Sequence, residues 1–261
     1  MLKIKKLCEN YAPQLASLVG DSRKFWKKLD NNLETKFDST TVGNAVENSI
    51  SFLLIRAESG DTKAIKFLNT IENTIIELMD LVSEDLQADV RSTAEKLMKE
   101  IDPKPVANGP VAQYLNWYGE LLSIHHILGT GAYELIRFDS PKENGGDVDF
   151  ELRSKSNGQV SYVEVVNIHV NTDKALIPDA LQVYLNFKLN EKYERKTKEL
   201  EDSRGIYILP VLWFDDAVQK NILDFIEKNN LASRMIIEPC MLAYRPEIKE
   251  YRFGTVRSLL V

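Results

Sequence analysis

The segment GGDVDFELRSKSNGQVSYVEVVNIHV, Gly145–Val170, holds two predicted strands joined by a turn. Residues 147–152 alternate strictly between acidic and apolar side chains, so a strand here has three carboxylates on one face and three apolar side chains on the other. The Asn157-Gly158 pair that follows is a strong signal for a tight turn between antiparallel strands. We therefore predict a β-hairpin with strands near 147–154 and 160–170.

Glu164 interrupts the second strand of this hairpin, whose other residues have the composition of a buried central strand. An ionised carboxylate in such a strand is costly unless it is paired, hydrogen-bonded or bound to a metal. Antiparallel pairing across the turn brings Asp149 and Glu164 into the same region of the sheet. Because Mg²⁺ is commonly held by one or two carboxylates, the two acids predict a divalent-cation site.

The composition is that of a folded protein without a general affinity for polyanions. The chain has 261 residues, 44% of them hydrophobic, and a formal net charge of −6. This length suits one large domain or two modest ones, and any nucleic-acid surface must be local. No apolar run is long enough to span a bilayer, and the first residues lack the apolar core of a secretory signal. We therefore expect a cytoplasmic protein without a membrane partner.

Residues 1–101 have the pattern of an all-helical N-terminal domain. Apolar residues recur three and four positions apart, and Gly and Pro are sparse. The predicted helices lie near 2–19, 22–36, 42–58, 62–82 and 84–100. Three prolines and a glycine in residues 102–110 break this pattern, so we predict a linker there.

Residues 111–261 change to a mixed α/β pattern. The predicted helices of this second domain lie near 111–128, 178–202 and 216–229. Its predicted strands lie near 132–138, 147–154, 160–170, 205–214, 235–244 and 249–257.

The order of these elements resembles that of the PD-(D/E)xK nuclease superfamily, which includes many restriction endonucleases and DNA-repair nucleases. The motif acids are Asp149 in GDVDFEL and Glu164 in YVEVVN, and the resemblance runs from about residue 111 to 214. It implies a restriction-endonuclease-like mixed central sheet flanked by helices. The chain departs from the motif at Val166, which stands where the family has lysine.

The resemblance also implies a role for each acid. Asp149 and Glu164 would bind Mg²⁺ or Mn²⁺, and Glu120 on the preceding helix would be a further ligand or orient a ligand water. Relatives in this superfamily supply the lysine from other positions. Lys188 and Lys192, on the helix after the hairpin, are the candidates for that role here.

The helical phase of Glu120 agrees with this assignment. At about 100° per residue, Glu120 lies on the stripe that contains Trp117, Ile124 and Ile127, which we predict to be the buried face. The alternative is a glutamate at the edge of that stripe, paired with a basic residue or reaching solvent.

Basic residues gather on the predicted helix near 178–202. Lys188, Lys192 and Lys196 lie close to the apolar stripe of this helix, and Arg195 adds to the set. These four side chains are the predicted contacts to the phosphate backbone of a nucleic acid. The alternative is a solvated basic face that pairs with glutamates one turn away.

Two functions remain open. In the first, the chain is a Mg²⁺-dependent nuclease that hydrolyses phosphodiester bonds, with DNA rather than RNA as the expected substrate. In the second, the nuclease fold is kept without its chemistry, as a binding or assembly module. The N-terminal helices are candidates for a homodimer interface or for a contact with a partner protein. The three acids favour the first function and Val166 favours the second; we adopt the first.

Overall fold

The structure is a computed structural model, and it describes two sets of residues. The continuous ranges are 3–37, 49–99, 113–141, 147–169, 206–213, 239–245 and 247–255, and the single positions are 183, 187, 190, 191, 194, 258 and 259. The chain is a mixed α/β protein with helices at its N-terminus, as predicted. It forms two compact units, Met1–Leu121 and Leu122–Val261. The predicted linker at 102–110 and the predicted helix at 216–229 lie outside the described residues.

The first unit is helical. Its elements are α1 (Lys3–Tyr11), α2 (Pro13–Val19), α3 (Arg23–Phe37), α4 (Ile50–Glu58), α5 (Thr62–Leu81), a 3₁₀ turn (Glu84–Leu86), α6 (Gln87–Lys99) and the start of α7 (Gln113–Gly129). The single helix predicted at 2–19 is wrong, because Pro13 has no amide hydrogen to continue α1 and instead begins α2.

A buried carboxylate on α5 holds the start of α2. Glu72 Oε2 and Oε1 accept the amide hydrogens of Gln14 and Leu15, at 2.7 and 2.8 Å. Ala12 at the N-cap has no side-chain acceptor for these groups. The Glu72 side chain is 6% exposed, and its burial raises the pKa of the carboxyl group, although the two backbone hydrogen bonds oppose this rise. The packing of α2 on α5 therefore depends on a polar contact inside the core.

The second unit is built on a six-stranded mixed sheet whose spatial order follows the chain. The strands are β1 (Tyr133–Pro141), β2 (Asp147–Ser154), β3 (Val160–His169), β4 (Ile206–Trp213), β5 (Cys240–Arg245) and β6 (Glu250–Thr255). Strands β1, β2 and β3 form an antiparallel meander, β4 and β5 continue the sheet in parallel with β3, and β6 returns antiparallel to β5. All six predicted strands are confirmed, although β1 ends three residues later than predicted and β5, predicted from about 235, begins at Cys240.

The β2–β3 hairpin has the register that the alternating pattern requires. Its paired residues run from Arg153–Val160 to Phe150–Val163. In the turn, Gly158 has φ +71°, a left-handed conformation that glycine adopts without steric cost, and Asn157 Oδ1 accepts the amide hydrogen of Gln159 at 2.9 Å.

The apolar face of the hairpin is part of the core. Val148, Phe150 and Leu152 are between 0 and 2% exposed. The ring of Phe150 packs edge to face against Phe138 of β1, with 5.5 Å between the ring centroids. Burial of this face leaves the acids of β2 on the other face of the sheet.

The contact of Glu72 with α2 gives a first prediction. Glu72→Ala should lower the free energy of unfolding by about 2–4 kcal/mol, because two amide donors at the start of α2 lose their acceptor. Glu72→Gln, which keeps one acceptor oxygen, should lose less. Chemical denaturation measures both changes. Asp80→Ala, at an exposed position of the same helix, is the control and should change the free energy of unfolding by no more than about 0.5 kcal/mol. Equal losses at positions 72 and 80 would contradict the prediction.

Candidate metal site on the sheet

Asp149 lies where the β2–β3 ladder ends. The last paired residues are Phe150 and Val163. Beyond them, the amide of Val165 donates to Asp149 Oδ2, at 2.6 Å. A side-chain carboxylate thus takes the place that a backbone carbonyl has in a continuing ladder. The hydrogen bond fixes the Asp149 carboxyl group against the main chain of β3, one residue beyond Glu164.

Glu164 belongs to the same face of the sheet. Continuing the register by one residue from Phe150–Val163 sets Asp149 opposite Glu164, and opposite residues of an antiparallel pair share a face. Glu164 is 2% exposed, and its Oε2 atom is enclosed by protein. Its neighbour in the parallel ladder is Ile208 of β4, which is 3% exposed. The carboxyl group of Asp149 is therefore half-buried, and that of Glu164 is buried.

The sheet face that carries both acids is charged and exposed on one side of them and apolar and buried on the other. On β1 and β2 it bears exposed charged side chains, namely Glu134, Arg137 and Arg153. On β3, β4 and β5 it bears buried apolar side chains, namely Val166, Ile168, Ile208, Leu212 and Met241. The two acids lie at the boundary between the charged and the apolar parts of this face.

Val166 occupies the place of the motif lysine. It shares the face of Glu164 by strand alternation and pairs with Pro210 in the ladder of β3 and β4. Its side chain is 8% exposed. The residue that borders Glu164 along the strand is therefore apolar and buried, and it supplies no positive charge.

Glu120 lies in the part of α7 that belongs to the first unit. The stripe predicted to be buried is wrong in part, since Ile124 is buried but Trp117, Glu120 and Ile127 are half-buried. The neighbouring row contains four buried residues, Tyr114, Tyr118, Leu121 and Leu128, together with the half-buried His125. The rings of Tyr114 and Tyr118 are buried in this neighbouring row. Glu120 is therefore at the edge of the buried face rather than at its centre.

The predicted basic contacts, Lys188, Lys192, Arg195 and Lys196, lie outside the described residues. The helix predicted near 178–202 is described at 183, 187, 190, 191 and 194, and all five positions are helical and exposed. Consecutive parallel strands such as β3 and β4 are joined by a crossover rather than by a tight turn, and the crossover is usually a helix.

The acid pair suits one class of metal ion. Among the described residues there is no group of three or more His, Cys, Asp and Glu side chains that would enclose a metal ion. Mg²⁺ does not need such a group, because it keeps several water ligands and is usually held by one or two carboxylates together with substrate phosphates. Asp149 and Glu164 offer the kind of oxygen ligand that Mg²⁺ and Mn²⁺ bind, whereas a closed zinc or calcium site needs more protein ligands.

A polar group on the opposite face has no counterpart among the predicted site residues. Trp213 Nε1 donates to Asn167 Oδ1 at 2.8 Å, and His169 is in register with Trp213 at the ends of β3 and β4. Burial lowers the pKa of His169 to about 4. The sequence signal for this group is weak, since it consists of two polar residues near the end of an apolar strand.

Comparison with known proteins adds nothing to the resemblance to the PD-(D/E)xK superfamily, which rests on the residues of this chain alone. No family model, no curated protein and no solved structure matches this chain. Among the helices that the structure describes, none is long and apolar enough to cross a membrane.

His169 gives a prediction for the pH dependence of stability. In the folded protein it stays neutral down to about pH 4, whereas in the unfolded chain it binds a proton near pH 6.5. Between these values the unfolded state binds more protons, so stability decreases as the pH falls, by up to about 1.4 kcal/mol per pH unit. His169→Gln should remove this part of the dependence. Denaturation at pH 7 and at about pH 5 tests it, and an unchanged pH slope in the variant would contradict it.

Proposed function

We propose that the chain is a metal-dependent nuclease that hydrolyses phosphodiester bonds, with DNA as the expected substrate. The observation that supports this most is the placement of Asp149 and Glu164 on one sheet face at the end of the hairpin ladder. These are the two positions that the PD-(D/E)xK motif gives to its acids.

We also propose a restriction-endonuclease-like fold for the second unit. The order of elements supports it: α7 precedes an antiparallel meander of three strands, and a crossover leads to β4, which is parallel to β3. This is the order that the resemblance implies for residues 111–214. Strands β5 and β6 extend the sheet beyond that range.

In this proposal Asp149 and Glu164 would hold the metal ion. A bound Mg²⁺ or Mn²⁺ stabilises the negative charge that develops on the phosphate during hydrolysis. The hydrogen bond from Val165 orients the Asp149 carboxyl group before the substrate arrives. The apolar neighbours of Glu164, Ile208 and Val166, exclude water, which strengthens electrostatic interactions in the site.

The remaining roles stay predictions. Lys188 or Lys192 would carry the positive charge that Val166 lacks, whereas Glu120 lies in the first unit and is not part of the proposed site. Arg195 and Lys196 would contact the phosphate backbone of the substrate.

A catalytically inactive binding module is the second candidate, and Val166 is the observation that favours it. The buried valine leaves no basic side chain on the face of β3 that carries Glu164, so this face of the strand cannot neutralise charge on the phosphate. The two candidates differ in one measurable respect, which is hydrolysis of nucleic acid in the presence of Mg²⁺ or Mn²⁺.

Replacement of one acid tests the catalytic proposal. Asp149→Asn should reduce metal-dependent cleavage at least about 100-fold, since it removes a charged ligand and keeps an acceptor for the Val165 amide. Cleavage is measured on single- and double-stranded DNA and RNA. Glu134→Gln, an exposed acid on the same sheet face, is the control and should cleave at the rate of the parent.

Thermal melting tests metal binding separately from catalysis. Mn²⁺ at about 100 times its dissociation constant should stabilise the parent by about 2.7 kcal/mol and raise its melting temperature. Asp149→Asn and Glu164→Gln should show no such rise. A parent that neither melts higher with Mg²⁺ or Mn²⁺ nor cleaves any of the four substrates leaves the binding module as the better account.

Restoring the motif lysine gives a further prediction. Val166→Lys should increase metal-dependent cleavage, because it returns a positive charge beside the acids. The same change should lower stability by about 1–3 kcal/mol, since the ammonium group enters a buried position. Val166→Met, of similar length and without charge, is the control and should not gain activity. Absence of cleavage by the lysine variant would show that the chain lacks more than this one group.

A further inference from the structure

The first unit carries basic side chains that the proposed metal site does not use. Residues 1–31 contain seven Lys and Arg and three Asp and Glu, a local net charge of +4 in a chain whose net charge is −6. All three acids are engaged. Glu9 and Asp21 both pair with Lys5, at 3.4 and 2.5 Å. Asp30 accepts the first two amide hydrogens of α1, at 3.0 and 2.9 Å.

Six basic side chains of this region remain exposed, and no ion pair joins them to a carboxylate of the described residues. We call them the basic surface. Its members are Lys3, Lys6, Arg23, Lys24, Lys27 and Lys28. Charges of one sign gathered without partners repel one another, so their proximity favours a polyanionic ligand over bare solvent.

Four of these side chains form a continuous strip on α3. Arg23 and Lys27 are one turn apart, and so are Lys24 and Lys28, which gives two adjacent rows on one helix face. At about 100° per residue, the middle of this strip lies opposite Trp26 and Leu29. Those two residues are 0 and 2% exposed, so core packing holds the basic strip toward solvent.

The N-terminus of α1 is fixed beside α3. Both amide hydrogens that Asp30 accepts belong to the first turn of α1, at Lys3 and Ile4. Since Asp30 is one turn beyond Lys27 on α3, this contact brings Lys3 close to the end of the basic strip. The two helices therefore present their basic side chains as one surface.

We propose that the basic surface of α1 and α3 binds the phosphate backbone of nucleic acid. The class of ligand rests on the proposed function, whereas the place of contact rests on the basic surface itself. Lys and Arg side chains that contact phosphates bind without regard to sequence and release condensed counterions, so affinity falls as salt rises. The basic surface supplies a local site of this kind on a protein whose overall charge disfavours such binding.

The apolar side chains of these helices favour nucleic acid over an anionic membrane. A helix that binds a membrane surface exposes aliphatic and aromatic side chains beside its basic ones. Here Ile4, Leu7, Trp26 and Leu29 are between 0 and 6% exposed, and none of the exposed large hydrophobic side chains of the described residues lies within 3–31. The surface thus offers charge without groups that insert into lipid.

The test uses the full chain with EDTA present and a fluorescein-labelled DNA duplex of about 20 base pairs, followed by fluorescence anisotropy. The triple variant Lys24→Glu/Lys27→Glu/Lys28→Glu should bind at least about tenfold more weakly than the parent at about 100 mM KCl. Its plot of log affinity against log KCl concentration should be shallower by about 2–3, one contact for each lost lysine.

A matched variant separates the surface from the total charge. Lys63→Glu/Arg91→Glu/Lys155→Glu makes the same change in net charge at three exposed positions elsewhere, and it should bind within about threefold of the parent. Equal losses in both triple variants, or no binding by the parent, overturn the proposal. Binding of phosphatidylserine vesicles without binding of DNA also overturns it.

Neutral substitutions test whether weaker binding comes from the lost charges or from a folding defect. Lys24→Gln/Lys27→Gln/Lys28→Gln removes the charges while keeping side chains that suit a helix, and circular dichroism checks that it folds. It should bind about threefold or more weakly than the parent. Parental affinity in this folded variant overturns the proposal.

The Asp149→Asn variant makes the two proposals separable. It should bind DNA as the parent does while failing to cleave it. A parent that binds DNA through the basic surface and never cleaves it overturns the nuclease and leaves the surface in place. Cleavage by the parent, combined with unchanged binding in the Lys24, Lys27 and Lys28 variants, overturns the surface alone.

Discussion

The hydrogen bond from the Val165 amide to Asp149 is the interaction on which the proposed site depends. It ends the β2–β3 ladder without leaving the amide of Val165 unsatisfied, and it fixes the carboxyl group one residue away from Glu164. The register behind it is strongly specified, because a slip of one residue would turn Val148 and Phe150 out of the core and the acids into it. Apolar packing on one face thus determines where the acids lie on the other.

Carboxyl groups in the first unit serve a different purpose. Asp30, Asp61 and Glu72 each accept amide hydrogens at the start of a helix, α1, α5 and α2 respectively. Such groups are satisfied by donors that a helix leaves without intrahelical partners, and the helix dipole favours their charge. Glu164 instead lies in the middle of a strand. We propose a metal-binding role for it, whereas the role of Glu72 is structural.

The elements that the sequence predicts well are those with a local pattern. Alternating side chains and the Asn157-Gly158 turn are sufficient for the hairpin, its register and the shared face of its acids. Pro13 is also a local signal for a helix break. The apolar periodicity continues across it, however, and indicates a single long helix. The burial of α7 was harder to predict, because tyrosines such as Tyr114 and Tyr118 suit either a core or a surface. The bond between Asn167 and Trp213 depends on which strands become neighbours, and no local pattern contains that information.

The parallel pairing of β3 with β4 has a consequence for the order of assembly. The β1–β3 meander joins residues close in the chain, whereas the ladder of β3 and β4 joins Tyr162 to Ile206, 44 positions apart. Because closing a long loop costs entropy before its contacts form, we expect the meander to form first and β4 to dock later. Asp149 and Glu164 would then meet while both are hydrated, and the loss of water from Glu164 would fall in the docking step that adds Ile208. The burial of the Glu164 carboxyl group would thus slow the later docking of β4 rather than the formation of the meander.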